Sequence, residues 1–328
     1  MGSPFFSVVV ASRNRPELLR LAVQSVMGQS FQDFELILVN DGSDQQYVPD
    51  IDAVVAEYEG RVCQIKLVHY PRGHGQSYSL NTGAFSASGE FVTFLDDDDF
   101  WTDRDHLSKA HKALQHYPKA DVYYANQLAV QPGQSREQGE VLWLGDMQQI
   151  CENAGLEPSA NAYPVTVDLL MQSHGFAHLN CSIVRRELFL ALKGMDEDIR
   201  WQCDQDFYLR TLDAAGQILF NPDVVSEHHV PDKNKRVNLT TAISVYQRLN
   251  YQLYVYNKAV TQLKHRAIVR QSRRHRAYTI QKIAEALYQQ GRYADAADFC
   301  REALFMTFSP RWPLFCLKVW FASAFKGP

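Results

Sequence analysis

Residues Phe91 to Trp101 read FVTFLDDDDFW, an apolar run that ends in four consecutive acids. Phe91, Val92, Phe94 and Leu95 are too uniformly apolar for a strand with one wet face, and Ser88-Gly89 breaks the chain just upstream. The spacing therefore predicts a short strand of a parallel sheet, buried on both faces. Asp96, Asp97, Asp98 and Asp99 then stand at its carboxyl end, where ligands collect in open α/β sheets. Carboxylates this close repel one another, and beside a low-dielectric strand end that repulsion raises a pKa unless a cation is present. Hard cations such as Mg²⁺ and Mn²⁺ take oxygen ligands, and Mg²⁺ is commonly held by one or two carboxylates together with substrate phosphates. Fed directly by a buried strand, the acids predict a metal-bridged diphosphate rather than a solvated turn.

Upstream, Phe5 to Ala11 reads as a first buried strand, and Ser12-Arg13-Asn14-Arg15-Pro16 as a loop into a helix with proline in its first turn. Leu18, Leu19, Ala22, Val23, Val26 and Met27 recur at helical spacing. Phe34 to Val39 predicts a second strand ending in Asn40-Asp41-Gly42-Ser43-Asp44, Asp50 to Tyr58 a helix, and Ile65 to His69 a third strand before Pro71-Arg72-Gly73-His74-Gly75 and a helix to Ala87. This βαβαβαβ order predicts an α/β fold with a doubly wound, mostly parallel sheet. Three loops, Ser12 to Arg15, Asp41 to Asp44 and Arg72 to Ser79, converge at the strand ends. Gly73 and Gly75 permit close backbone approach, and the helix amides beyond them can receive a phosphate. There is no GxGxxG, so the dinucleotide fingerprint is absent.

VVVASRNRPELLRLAVQSVMGQSFQDFELILVNDGSD at 8 to 44, GQSYSLNTGAFSASGEFVTFLDDDD at 75 to 99 and CDQDFYLRTLDAAG at 203 to 216 together resemble glycosyltransferase family 2, the inverting nucleotide-sugar transferases of GT-A fold. The resemblance covers about residues 5 to 230. It implies a nucleotide bound by Ala11, Ser12, Arg13 and Asp41, the last on the base, with Arg72, Gly75 and Ser79 from the third loop, and UDP as the nucleotide. It makes Asp96-Asp97-Asp98 the DxD motif, with Asp96 near the ribose, Asp97 on the nucleotide side and Asp98 on Mn²⁺ or Mg²⁺. It implies an acceptor segment at His178, Asn180 and Cys181. Two positions depart from the family: Leu80 stands where an arginine is frequent, leaving Arg72 as the candidate phosphate contact, and Cys203 stands where a glutamate precedes the aspartate.

Asp204, Gln205 and Asp206 open a helix closed by Gly216. Asp is among the commonest N-caps, and a carboxylate there is stabilised as the anion. With a diphosphate site already implied, Asp204 is the expected general base, at the position the resemblance gives the family's base, and Asp206 supports the acceptor site or the helix. Gln217 to Phe220 and Val224 to Glu227 predict a closing strand pair that delivers His228 and His229. A neutral imidazole can complete a Mn²⁺ shell, only one of the two can point inward from a strand, and His229 is the expected one. Trp143, Asn153, Asn161 and Tyr163, in an irregular stretch, are candidates for lining an acceptor site.

The chain has 328 residues, 46% of them hydrophobic, which is enough for a packed core and excludes a disordered protein. Six cysteines without CxxC spacing argue against structural zinc and fit reduced thiols. No stretch has the ~18 apolar residues of a membrane span, and MGSPFFSVVV lacks a signal peptide's basic start. The expectation is a cytoplasmic protein, peripheral at the inner membrane face. Residues 1 to 232 hold 16 Lys+Arg against 33 Asp+Glu, whereas 233 to 328 hold 17 against 4. The expected organisation is thus a nucleotide-sugar half at 1–100, an acceptor and catalytic half at 101–232, and a basic helical region at 233–328. In that region Arg276 to Leu304 resembles one tetratricopeptide-like hairpin, which alone leaves an apolar face to be covered. Trp312 to Phe325 mixes aromatics with Lys318 and has Lys326 just beyond it, fitting an amphipathic helix on an anionic membrane. The expected partners are a nucleotide-sugar donor, a polysaccharide or lipid-linked acceptor, the anionic membrane surface and a second copy of the chain. No recognition motif accompanies the arginines, so nucleic acid is not expected. A sugar nucleotidyltransferase, which needs a Gly- and Lys-rich pyrophosphate signature absent from SRNRP, and a non-catalytic scaffold are the alternatives.

Overall fold

Valine packs well on a pleated surface covered on both faces, and β1 (Phe6–Ser12) buries Val8, Val9 and Val10 completely. The computed structural model describes residues 2–58, 64–69, 73–230, 243–306 and 311–326; Cys63, Arg72 and the expected boundary at 232 lie outside them. Pro16 opens α1 (Pro16–Met27), which buries Leu19, Ala22, Val23 and Val26 on one stripe. β2 (Phe34–Asn40), buried throughout, leads to α2 (Val48–Ala56), β3 (Gln64–His69), α3 (Gln76–Phe85) and β4 (Phe91–Phe94). There follow β5 (Phe100–Trp101), α4 (His106–His116), β6 (Val122–Val130), α5 (Met147–Asn153), β7 (Tyr163–Val165), α6 (Val167–Leu170), β8 (Ser182–Arg185), α7 (Arg186–Ala191), α8 (Cys203–Ala214) and β9 (Ile218–His229).

Among the described residues nine strands join one sheet in the order β3-β2-β1-β4-β8-β6-β9-β5, with β7 also paired to β9. The run β3-β2-β1-β4 is parallel, which sends the ends of β1, β2 and β4 to the same edge. β8 then lies antiparallel between β4 and β6, so the sheet is mixed. The predicted closing strand pair is instead the single strand β9, parallel to β6. Asn221-Pro222-Asp223 reads as a turn, yet Tyr124 faces Phe220 and Asn126 faces Val224, so the three residues are taken up as a bulge. The Asn126 amide donates to the Pro222 carbonyl at 3.2 Å, holding the bulge in the sheet.

Two compact units are present, Met1–Asn234 and Lys235–Pro328. The second contains α9 (Val245–Gln262), α10 (Arg266–Gln289), α11 (Tyr293–Ala303) and α12 (Arg311–Lys326). The α10–α11 hairpin packs Ile280, Ile283, Ala284 and Leu287 against Ala296, Ala297, Cys300 and Ala303. Its apolar faces find cover inside the unit, from Leu249 of α9 and Trp312, Cys316 and Val319 of α12. No described helix is long and apolar enough to cross a membrane.

Helix α3 can lie on β1 and β2 because it carries Gly83. A Cβ there would fall 2.4 Å from the Val9 Cγ1 and 3.2 Å from the Val39 Cγ2, both stiff buried side chains. Gly83→Ala should cost about 1–3 kcal/mol, read as a lower denaturant midpoint. Val9→Ala in the same chain should recover part of that loss, and strictly additive losses would show that the contact is slack. His106 opens α4 fully buried, with neither ring nitrogen hydrogen-bonded, and burial pushes its pKa down from 6.5 to about 4. The unfolded chain then takes up this proton first, so stability present above pH 6.5 should be lost as pH falls towards 4, by about 3 kcal/mol. In a pH series of urea melts His106→Phe should flatten that slope, and an unchanged slope would assign it to other groups.

Candidate active site

The four acids turn off the end of β4 and do not share one environment. Arg15, between β1 and α1, bridges two of them, with Nη2 2.7 Å from the Asp97 Oδ1 and Nη1 2.9 Å from the Asp98 Oδ2. Asp97 is buried, which pushes its pKa up to about 7 despite the opposing charge of Arg15. Asp96 accepts from the Gln76 amide at 2.9 Å. Burial, joined by the like charges of Asp99 and Asp98, pushes Asp96 well above the usual carboxylate range. For Asp99 burial acts in the same direction but loses: its Oδ2 lies 2.7 Å from the His228 Nδ1, its Oδ1 accepts from the His229 backbone at 2.9 Å, and it is held below the usual range. Burial alone would lower His228, and the Asp99 hydrogen bond and charge raise it instead.

Asn180 is the fully buried hub of this cluster. Its amide donates to the Asp99 Oδ2 at 2.6 Å and the Gln127 Oε1 at 3.2 Å, and its Oδ1 accepts from the Asp96 backbone at 2.9 Å. The Trp101 indole donates to its carbonyl at 2.9 Å. Expected to face an acceptor, Asn180 instead spends its polar atoms on the acids. The histidine inside the cluster is His228, whereas His229 was the expected one. Ser226 and His228 share a face of β9, and Ser226 reaches Gln127 at 3.4 Å. The His229 ring is half-exposed, with Nδ1 2.9 Å from the Asp98 carbonyl.

Asp96, Asp98 and Asp99 each offer an oxygen within 4.8 Å of the others. An all-carboxylate donor set suits a hard divalent ion. His228 stands beside this trio and holds Asp99 through Nδ1. The residues present therefore fit Mn²⁺ or Mg²⁺.

The three expected loops meet beside the acids. Asp41 at the end of β2 accepts from the His74 and Gly75 amides at 2.8 and 3.1 Å. The Asn14 backbone donates to the Ser43 hydroxyl at 2.9 Å, and its side chain exchanges bonds with Asp44. Gly75 takes φ 105°, a conformation that favours glycine, and a Cβ there would displace the Arg200 guanidinium; one on Gly73 would displace the Arg13 guanidinium and fall 3.1 Å from the Asp41 carbonyl oxygen. Ala11 is half-buried and Ser12 buried; Ser79 is buried with its hydroxyl on the Gly75 carbonyl at 3.2 Å, so it offers no exposed group.

Asp204 is in the first turn of α8, but the cap is Gln202, in the left-handed region at φ 63°. Its carboxylate is half-buried and accepts from the Gln205 amide at 2.8 Å. Burial pushes its pKa up, against its own turn's amides and the charge of His228. Asp206 is buried and paired with Arg210 at 2.7 Å, which makes it a brace within α8. His178 lies 3.9 Å from an Asp96 oxygen, pushed down to about 3 by burial and the charge of His228. Of the aromatic and amide candidates for the acceptor side, Trp143 is the one whose ring packs on site histidines, 5.3 Å from both His178 and His228. Sequence reasoning passed over Arg15, Arg200, Gln76 and Gln127. Only Arg15 carried a signal, a cation at the end of β1 in a fold whose β4 ends in four acids.

The family model described as glycosyl transferase family 2 matches residues 7–192. Succinoglycan biosynthesis protein ExoW of Rhizobium meliloti is 27% identical over 228 residues, 64% of this chain and 67% of its own length. A GalNAc(5)-diNAcBac-PP-undecaprenol beta-1,3-glucosyltransferase of Campylobacter jejuni is 39% identical over 97 residues, 29% of this chain and only 30% of that relative. Among solved structures, Staphylococcus aureus TarS 1-349 in complex with UDP-GlcNAc aligns with a TM-score of 0.66 at 17% identity, covering 98% of this chain and 87% of that one. Mannosyltransferase PcManGT of Pyrobaculum calidifontis, in complex with GDP-Man and Mn²⁺, aligns with a TM-score of 0.60 at 18% identity, covering 99% and 81%. At these identities the structural likeness speaks for the fold.

Asn180→Leu should leave Asp99 and Gln127 short of a donor and cost about 3 kcal/mol in a urea melt. His229→Ala, at a half-exposed ring, should cost under about 1 kcal/mol. Equal losses in the two variants would show that Asn180 is no hub.

Proposed function

The chain belongs to glycosyl transferase family 2 and has the GT-A fold, and on that premise we propose that it is a metal-dependent inverting transferase moving a sugar from UDP to a hydroxyl of a polysaccharide or lipid-linked glycan. The observation that carries the reading is the trio Asp96, Asp98 and Asp99, with oxygens within 4.8 Å of one another at the strand ends where the nucleotide loops meet. UDP as donor is supported by the UDP-GlcNAc complex of TarS. A glycan acceptor is supported by the names of the ExoW and Campylobacter relatives.

In this reading residues 1–100 seat the donor through Ala11, Ser12, Arg13, Asp41 and Gly75, and Arg15 and Arg200 supply cations beside the phosphates. Residues 101–232 carry the acceptor side, with His178 and Trp143 at its wall. Asp98, Asp96 and Asp99, with His228 beside them, would hold a divalent ion that stabilises negative charge on the departing diphosphate. Asp204 takes the proton of the acceptor hydroxyl, to which its raised pKa suits it. The freed oxygen attacks the anomeric carbon opposite the diphosphate, the carbon–oxygen bond to the diphosphate breaks, and the nucleoside diphosphate leaves with the electron pair. One displacement inverts the anomeric centre. The basic unit at 233–328 rests on the inner membrane face, where such acceptors are assembled. Its α12 leaves Leu314, Leu317, Phe321 and Phe325 exposed on one stripe, with exposed Lys318 at the edge.

Asp204→Asn should lower transfer about 10²–10⁴-fold and leave the calorimetric affinity for UDP nearly unchanged; wild-type turnover by this variant would remove Asp204 as the base. Removing divalent ions with EDTA should weaken UDP binding sharply and added Mn²⁺ should restore it. Binding that ignores the metal would overturn the cation reading, and no binding in either state would favour a scaffold.

A further inference from the structure

Between Asp232 and Glu285 the sequence holds twelve lysines and arginines and no acid. The described part of that run builds a cavity of about 830 Å³ within the second unit. Its cause is a mismatch of helix lengths. α10 has 24 residues and α11 has 11, or roughly 36 and 16 Å at 1.5 Å per residue. The hairpin contact therefore covers only the second half of α10, up to the Arg276–Glu302 pair at 3.5 Å. Ahead of that pair Arg266, Arg270, Arg273 and Arg274 recur at helical spacing along one wall, all exposed, and Lys264 enters from the α9–α10 turn. Val260, Leu263 and Val269 give the groove an apolar side, and the Arg274 guanidinium lies 5.8 Å from the Tyr278 ring centroid. No carboxylate is among the described residues that line it.

Like charges repel along a helix, and a row of arginines without acids costs stability unless it meets an anion. Guanidinium forks match phosphate oxygens two at a time, and a cavity of this size is that of a small-molecule site. We propose that this groove is a binding site for the phosphate headgroups of anionic lipids, with the apolar side against the start of the acyl chains. The inference deepens the membrane-facing part of the function above, and its test reads binding rather than transfer, so it can fail while the transferase stands.

The test is flotation of the full chain with vesicles of phosphatidylcholine, alone or mixed with phosphatidylglycerol. Binding should require phosphatidylglycerol. Arg270→Gln with Arg273→Gln should weaken it about 30-fold, at about 1 kcal/mol for each basic residue. Arg292→Gln with Arg301→Gln changes net charge equally, at exposed arginines already paired with Asp295 and Asp298, and should leave affinity near wild type. Circular dichroism of both variants reports folding, and glutamine is a good helix former. Inorganic pyrophosphate should compete for the vesicles. Equal losses in the two double variants would mean diffuse attraction and overturn the site. Tight binding of soluble polyphosphate with no vesicle binding would assign the groove to a polyanionic chain and overturn the lipid.

Discussion

Four carboxylates at the end of one short strand repel one another, and the catalytic unit is arranged to bear that repulsion. Arg15 takes Asp97 and Asp98, Asn180 and His228 take Asp99, and Gln76 takes Asp96. The partners come from the β1–α1 loop, the segment before β8, the end of β9 and the start of α3. Holding the acids together therefore fixes those segments against one another. A cation bound by Asp96, Asp98 and Asp99 would relieve what remains, which ties metal affinity to the integrity of the whole strand edge.

At the same edge small residues make room for two guanidinium groups. Asp41 uses both carboxylate oxygens to pin the third loop, and Gly73 and Gly75 leave room for the Arg13 and Arg200 guanidinium groups. Backbone, cations and the acidic cluster thus meet where the parallel strands end, at the place where donor phosphates gather in folds of this type. Two register shifts of β9 against β6 then decide which histidine enters. Asn221 to Asp223 stand against Ala125 alone, an even surplus that keeps the parity, and the extra Val225 changes it, so that Ser226 and His228 share the inward face.

The second unit meets its own constraint differently. A lone helical hairpin leaves apolar faces open, and here α9 and α12 close them, so the hairpin needs no outside cover. What stays exposed is a stripe on α12 and the cationic first half of α10, beyond the reach of the shorter α11.

Local pattern determined much of this protein. The valine-rich strands, the helix after Pro16, the acids at the end of β4 and the charge asymmetry all follow from periodicity and composition, because burial on both faces and a strand's polarity write themselves into adjacent residues. The family resemblance named Asp98 and Asp204 through their motifs. What tertiary structure decided involves partners distant in sequence. Arg15 and Asp98 are 83 positions apart, Asn180 and Asp99 81, and His228 and Asp99 129. No local spacing records that Asn180 and Asp206 face inward, that β8 runs against its neighbours, or that Asn221-Pro222-Asp223 bulges instead of turning. Those outcomes depend on which side chains can satisfy a buried carboxylate or a broken ladder, and only the packed sheet brings the competitors within hydrogen-bonding distance.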